Sequence, residues 1–337
     1  MSNLKKILVA AVALTIGLST EAKKKVEVEE YVMEESGLNV TKITNEDMNS
    51  VVGPVAAKAN LFIRTANLAL AGSKKGGLQW GASRTLTVSP DGSEIAYLTQ
   101  KNKSHNVMVR RSSGAGASTQ RTFRHIRDFC WGPDDNLYIS DMVDSENHKI
   151  VSIDAHKGST MRQLTSNNID FNPATLDGNI IFFTRYENNG PSIWSYNKES
   201  GELVNCARGY QATPISDKEF LCVRNSTDGN SEIWLVNYVD GQETLIVSDK
   251  NTGFSNPSLS PDGKWILMQA NTKIKGTKNL DLFVIKSDGT QLTQLTYHRA
   301  NDFCPVWSAD GNQIFFISSR GNKDGYYNVW RMNFNLN

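Results

Sequence analysis

The tetrad SPDG at Ser89-Pro90-Asp91-Gly92 decides how this chain is read, because variants of it return five more times. They are GPDD at 132–135, TLDG at 175–178, ISDK at 215–218, SPDG at 260–263 and SADG at 308–311. The anchors Asp91, Asp134, Asp177, Asp217, Asp262 and Asp310 thus recur at near-constant intervals, the period of a blade-like repeat. Each residue of the tetrad has a task. Pro presets φ at the second turn position, Asp accepts nearby backbone amides, and Gly tolerates the positive φ where the chain doubles back. Every anchor therefore predicts a hairpin.

After each anchor comes a short run rich in β-branched and aromatic residues: EIAYLT, NLYIS, NIIFFT, EFLCV, WILMQA and QIFFIS. Such runs are too short for helices and fit buried strands. A second set follows further on in each interval (NVMVR, KIVSID, SIWSYN, EIWLVN, DLFVIK, NVWRMN), and a third carries TFR, MRQLT, ELVNC, TLIVS and QLTQLT. Four strands per interval make the repeating unit of a propeller. The expected fold class is all-β, a six-bladed β-propeller of four-stranded blades, with the ring closed by an N-terminal strand. The closing strand is expected in GLNVTKITN, 37–45, which mimics GTQLTQLTY at 289–297 in the last unit. Closure removes sheet edges that template aggregation. The boundaries follow: 1–22 a signal peptide, 23–36 an acidic leader without fixed structure, 37–80 the closing strand plus an insertion or cap, and 81–337 the propeller.

The repeat resembles the TolB-type six-bladed propeller family, whose units carry LT…D…P.WSPDG. The best matches are LTYHRANDFCPVWSADG, ending at Gly311, and FSNPSLSPDGKWILM, starting at Phe254. The resemblance runs from Gly81 to Asn337. It implies the propeller fold, and functions ranging from scaffolds to peptidase accessory domains and some lyases. TolB itself carries a substantial α/β domain before its propeller. Here only the stretch 23–80 separates the signal from the first unit, which puts membership of a Tol–Pal complex in doubt.

One decapeptide, RTFRHIRDFC at 121–130, nearly repeats as LTYHRANDFC at 295–304. Intermediate units dilute it to Asp170-Phe171-Asn172, Gly209-Tyr210-Gln211 and Gly253-Phe254-Ser255. In a strand the aromatic faces one side and its neighbours the other. The aromatic is expected to fill the gap between blades and the Asp to accept turn amides. The functional alternative uses the same loops. Connections from outer to inner strands gather on one rim and bring Arg124, His125, Arg127, Asp128, Asp170, Tyr210, His298, Arg299 and Asp302 together as a rim for a ligand or partner. Cys130 and Cys304 are expected at equivalent positions of two blades, and all four cysteines as free thiols.

Composition narrows the function. With 36 basic against 35 acidic residues and a net charge of +1, there is no field for nucleic acid. Lys5 and Lys6 precede an apolar run from Ile7 to Leu18. As a helix that run spans about 18 Å, short of a hydrocarbon core of roughly 30 Å, so an export signal with no membrane span after cleavage is expected. The expected compartment is the periplasm, with the cell surface or secretion as alternatives. Met48 to Gly77 has no anchor and reads as a cap over the channel or a surface loop. Trp194, Trp234 and Trp330 share one register and read as core, as do Trp131 and Trp307. The five histidines are scattered, there is no G-x-S-x-G elbow, and no metal or cofactor motif appears. The expected function is a non-catalytic, monomeric, exported scaffold for an envelope protein partner. A carbohydrate- or peptide-binding propeller is the alternative, and a polysaccharide lyase or hydrolase-like enzyme the weakest reading.

Overall fold

A computed structural model describes residues 30–32, 39–44, 84–101, 104–122, 125–143, 147–158, 160–166, 168–187, 189–274, 277–320 and 327–336. The expected signal peptide, the insertion or cap at 48–77 and Arg124 lie outside the described residues. Within them there is no helix, and every element is a strand.

Strands follow one another in up-and-down meanders. The first unit is β3 (Leu86–Val88), β4 (Glu94–Lys101), β5 (Ser104–Arg111) and β6 (Thr119–Gln120). The second is β7 (Ile126–Trp131), β8 (Asn136–Met142), β9 (His148–Asp154) and β10 (Arg162–Gln163). The third is β11 (Ile169–Ala174), β12 (Ile180–Glu187), β13 (Gly190–Asn197) and β14 (Leu203–Arg208). A parallel bridge between Ile169 and His148 joins these two into one sheet. Next come β15 (Tyr210–Pro214), β16 (Glu219–Asn225), β17 (Ser231–Asn237) and β18 (Glu243–Val247), then β19 (Phe254–Leu259), β20 (Trp265–Ile274), β21 (Thr277–Lys286) and β22 (Thr293–Gln294).

The last unit is β23 (Asp302–Trp307), β24 (Gln313–Ser318) and β25 (Asn328–Asn333), and its fourth strand comes from far upstream. That strand is β2 (Asn39–Lys42), antiparallel to β25 with Val40 opposite Met332 and Lys42 opposite Trp330. β1 (Glu30–Val32) adds outside β2, so part of the expected acidic leader is paired. Its backbone satisfies the edge that β2 leaves open.

The tetrads fold as their chemistry dictates. Asp91 accepts from the Ser89 and Ser93 hydroxyls at 2.7 and 2.9 Å and from the Ser93 amide at 3.0 Å. These bonds hold its carboxyl down at about 2. Gly92, at φ +74, donates its amide to the Ser89 carbonyl at 2.9 Å. Turns of successive units nest: a Cβ on Gly178 would meet Asp134 Cγ at 2.8 Å, and one on Gly311 would meet the Pro261 ring at 3.3 Å. Gly92 of the first unit nests in the same way on Ala309 of the last, at 3.0 Å. Consistently, β3 touches both β7 and β23.

Between units lies the core. The aromatics Phe129, Phe171, Tyr210, Phe254 and Phe303 are all buried, as their spacing predicts. Trp131, Trp307 and Trp330 are buried; Trp194 and Trp234 are half-buried. All four cysteines are free thiols, two buried and two half-buried.

Candidate functional site

The first strand of every unit contributes to one central cavity of about 160 Å³. Its wall takes Arg84 and Thr87 before and within β3, Cys130 from β7, Ala174 and Thr175 at the end of β11, Thr213 from β15, Asn256 to Ser258 from β19, and Cys304 to Val306 from β23. Five of these first strands carry a bulge, a register shift between Ile126 and Phe129, Phe171 and Ala174, Tyr210 and Thr213, Ser255 and Ser258, and Phe303 and Val306.

The bulges explain most of the polar interior. In four of them one residue turns left-handed: Asn172, Gln211, Asn256 and Cys304, at φ between 50° and 55°. The ladder then loses that amide, and the preceding unit supplies an acceptor instead. Asn172 N donates to Asp128 Oδ1 at 2.9 Å, and Gln211 N to Thr184 Oγ1 at 3.0 Å. Asn256 N donates to Gln211 Oε1 at 2.9 Å, and Cys304 N to Gln269 Oε1 at 2.7 Å. Pro follows the left-handed residue in three bulges (Pro173, Pro257, Pro305), where it has no amide to leave unbonded. Buried amides demand partners, and these inter-unit bonds are the answer.

Arg84 spans the cavity. From the first unit its Nη1 donates to the Ala212 carbonyl at 2.9 Å, and its Nη2 to the Gln211 carbonyl at 2.9 Å and Thr213 Oγ1 at 2.6 Å. Burial lowers its pKa despite Cys130, Asp128 and Cys304 nearby. Burial also pushes the Cys130 thiol up to about 12 and raises that of Cys304, so both stay protonated at neutral pH. Arg84 stands seven residues before its anchor Asp91, as Arg127 does before Asp134, and the other four units carry no arginine at that offset.

The expected rim separates into two groups. His125, His298 and Arg299 are exposed. Arg127, Asp128, Asp170, Tyr210 and Asp302 are buried, which corrects their expected place on an open rim. Most have a local reason. Asp170 receives two hydrogen bonds from Arg185, at 2.7 and 2.9 Å, and Asp302 is paired with Arg320. Tyr210 donates its hydroxyl to Asn225 Oδ1 at 3.0 Å. Asp128 accepts the Asn172 amide and also Asn172 Nδ2, at 2.8 Å, so its acceptor role goes to a bulge of the next unit and not to the turn amides expected. Burial pushes its carboxyl up to about 6 against the opposing charge of Arg127.

The twin decapeptides differ in register, a second correction. Trp131 lies opposite Leu137 and Cys130 opposite Tyr138, whereas Trp307 lies opposite Ile314 and Val306 opposite Phe315. Cys130 thus takes the place of Val306 and not that of Cys304. The shared Asp-Phe-Cys is displaced by two positions along the strand, so Asp128 caps the next bulge while Asp302 pairs with arginine.

Arginine placement repeats without having been anticipated. Arg185 lies 4.7 Å from the Trp194 ring, Arg224 5.1 Å from Trp234 and Arg320 5.8 Å from Trp330. Each also holds a carboxylate, that of Asp170, Glu243 or Asp302. Sandwiching a guanidinium between ring and carboxylate suits its planar, weakly hydrated shape. Another buried acid, Asp281, accepts from Thr272 and from Asn279 Nδ2 at 3.1 Å, and burial pushes it up to about 6. No group of three or more His, Cys, Asp or Glu able to hold a metal occurs among the described residues. No helix among them is long and apolar enough to cross a membrane.

A family model described as the TolB beta propeller domain matches residues 217–337. In solved structures, the chain resembles TolB from Acinetobacter baumannii, at TM-score 0.59 and 17% identity, over 74% of this chain and 65% of that one. It also resembles an oligogalacturonate lyase from Vibrio parahaemolyticus, at TM-score 0.58 and 10% identity, over 91% and 96%. At such identities the likeness is one of fold. Among curated proteins, dipeptidyl-peptidase 5 of Porphyromonas gingivalis is 36% identical over 69 residues, 20% of this chain and 10% of that enzyme.

Proposed function

We propose that this TolB-type β-propeller is a non-catalytic, exported scaffold that binds a protein partner in the cell envelope through its exposed rim. The ring is taken to have six four-stranded blades closed by β2. Support comes from the six meanders, from the β2–β25 pairing, and from the first unit's contacts with both the second and the last. The observation that carries the functional reading is how the interior is occupied. Arg84 bridges the cavity, and Asp128, Asp170 and Asp302 are committed to Asn172, Arg185 and Arg320. A group held in this way keeps the ring together and is poorly placed to exchange protons with a substrate, so recognition falls to exposed groups such as His125, His298 and Arg299. Export is supported by the basic pair Lys5-Lys6 and the apolar run Ile7 to Leu18 that follows it.

Capture from envelope extracts tests the reading. The wild type is expected to retain a protein at stoichiometric yield, and a variant combining His298→Ala with Arg299→Glu to lose it with an unchanged melting temperature. Retention of glycans on an array with no captured protein favours the carbohydrate-binding alternative. Turnover of a uronate polymer by the wild type overturns the non-catalytic assignment.

A further inference from the structure

Arg127 is a buried cation without acceptors among the described residues. With Asp128 it forms the bulge of β7, and its side chain is 3% exposed. None of Nε, Nη1 and Nη2 has a hydrogen-bond partner there. Among the described residues its one ion pair runs from Nε to Asp128 Oδ2 at 3.5 Å, too long for a hydrogen bond. Both Asp128 oxygens already accept from Asn172. One face of the guanidinium lies against the Phe171 ring, 3.9 Å from its centroid, which leaves the edge that carries the N–H groups. Burial draws its pKa down to about 10, so the group stays charged at neutral pH.

Other arginines of the interior show what is missing. Arg185 sits over aromatic rings and donates twice to a carboxylate, Asp170. Arg127 has the ring without the carboxylate's two acceptors. A planar fork of parallel N–H groups matches a carboxylate in bidentate fashion. The site lies close in sequence to an exposed residue. Exposed His125 precedes β7, so Arg127 stands two positions, about 6.6 Å of strand, below the rim. Bulges commonly re-aim side chains toward sites.

We propose that Arg127 is the receptor for a carboxylate presented by a protein partner, an Asp or Glu side chain or a chain terminus, which enters beside His125 and completes the pattern that Asp170 gives Arg185. This deepens the scaffold reading and rests on it. The test uses the full chain, ¹⁵N-labelled, at constant ionic strength set with sodium chloride. The blocked tripeptide acetyl-Gly-Glu-Gly-amide is expected to shift the Arg127 Nε–H resonance saturably, at least tenfold more tightly than its Gln counterpart. Arg127→Lys keeps the charge but lacks the fork, and is expected to weaken binding at least tenfold; should that variant not fold, the wild-type titration decides alone. A shift that sodium chloride reproduces means an unselective anion effect, the absence of saturation means that no carboxylate binds, and either result overturns the proposal. Binding of D-galacturonate without binding of the Glu peptide overturns it in favour of a glycan. If the Glu peptide binds but extracts yield no partner, the carboxylate site stands and the scaffold reading falls. If Arg127→Lys captures a partner as well as the wild type does, this site falls and the scaffold reading stands.

Discussion

Arg185 and Arg320 each hold an aspartate that is fully buried, and the consequence for stability is asymmetric. A buried ion pair adds little over a hydrophobic replacement, but removing one partner strands a charge and costs about 3–5 kcal/mol. Arg320→Met is expected to lower the urea midpoint accordingly, with the slope of the transition unchanged. The double variant Asp302→Asn with Arg320→Met should recover at least half of that loss; equal loss in single and double variants refutes the pairing argument. Asp128 and Asp281 provide the pH counterpart, since burial lifts both carboxyls to about 6. An unfolded Asp titrates near 3.9. Between roughly pH 4 and 6 the folded chain keeps protons that the unfolded chain has released, so the contribution of these two groups is greatest below that window and declines as pH rises through it. Melting curves of Asp281→Asn should show a decline between pH 4 and 7 flatter by a few degrees than the wild type. An unaltered slope would remove Asp281 from the explanation.

At the scale of strands and turns, the bulge is the element that organises the centre of the molecule. Gln269 on β20 answers the amide of Cys304 on β23, joining two units through one side-chain oxygen. Gln269→Leu keeps the bulk and removes an acceptor that also serves Asn256 Nδ2 at 3.0 Å, at an expected cost of about 1–3 kcal/mol for each orphaned donor. Urea unfolding measures the cost, and faster hydrogen exchange at the Cys304 amide locates it. The same element marks the limit of what the sequence discloses. The turns are legible because their chemistry is local: Ser89, Asp91 and Gly92 bond to one another within a single tetrad. The buried aromatics are legible because their spacing repeats. The displacement of Asp-Phe-Cys is legible too once the motif is measured against its turn, because Cys130 stands four residues before Asp134 and Cys304 six before Asp310. What the sequence conceals is depth: five of the expected rim residues turn out buried, four of them held by partners on or just beyond neighbouring strands. The arginine partners of Asp170 and Asp302 escape a search for repeats because their meaning lies in contacts across strands.

For the molecule as a whole, the question is whether the beginning of the chain is an ornament of the last unit or a working part of a closed ring. Ile43 bears on it directly. It is buried in a cluster that unites Leu86, Ile95 and Tyr97 of the first unit with Phe303, Phe315 and Val329 of the last. Its amide donates to the Val329 carbonyl at 2.8 Å, and the neighbouring Thr44 hydroxyl donates to Asn328 Oδ1 at 2.8 Å while accepting the Val329 amide at 3.1 Å. Thus one short segment both pairs with β25 and fills the seam between the first and last units. Truncating a buried Ile costs about 2–5 kcal/mol, more where the surroundings cannot collapse. If the ring is a single cooperative body, Ile43→Ala lowers the stability of every unit together. Hydrogen exchange in β3–β5 and β23–β25 should then accelerate by the same factor, with global unfolding still one transition. If β2 merely decorates an already complete structure, exchange accelerates only in β25 and the melting temperature holds. The first outcome follows from the seam geometry, because a cavity at Ile43 loosens both units that share it; the second would remove the strand from the proposed closure and leave the first and last units joined by their nested turns, the contact of Thr85 with Cys304 and the rest of that cluster.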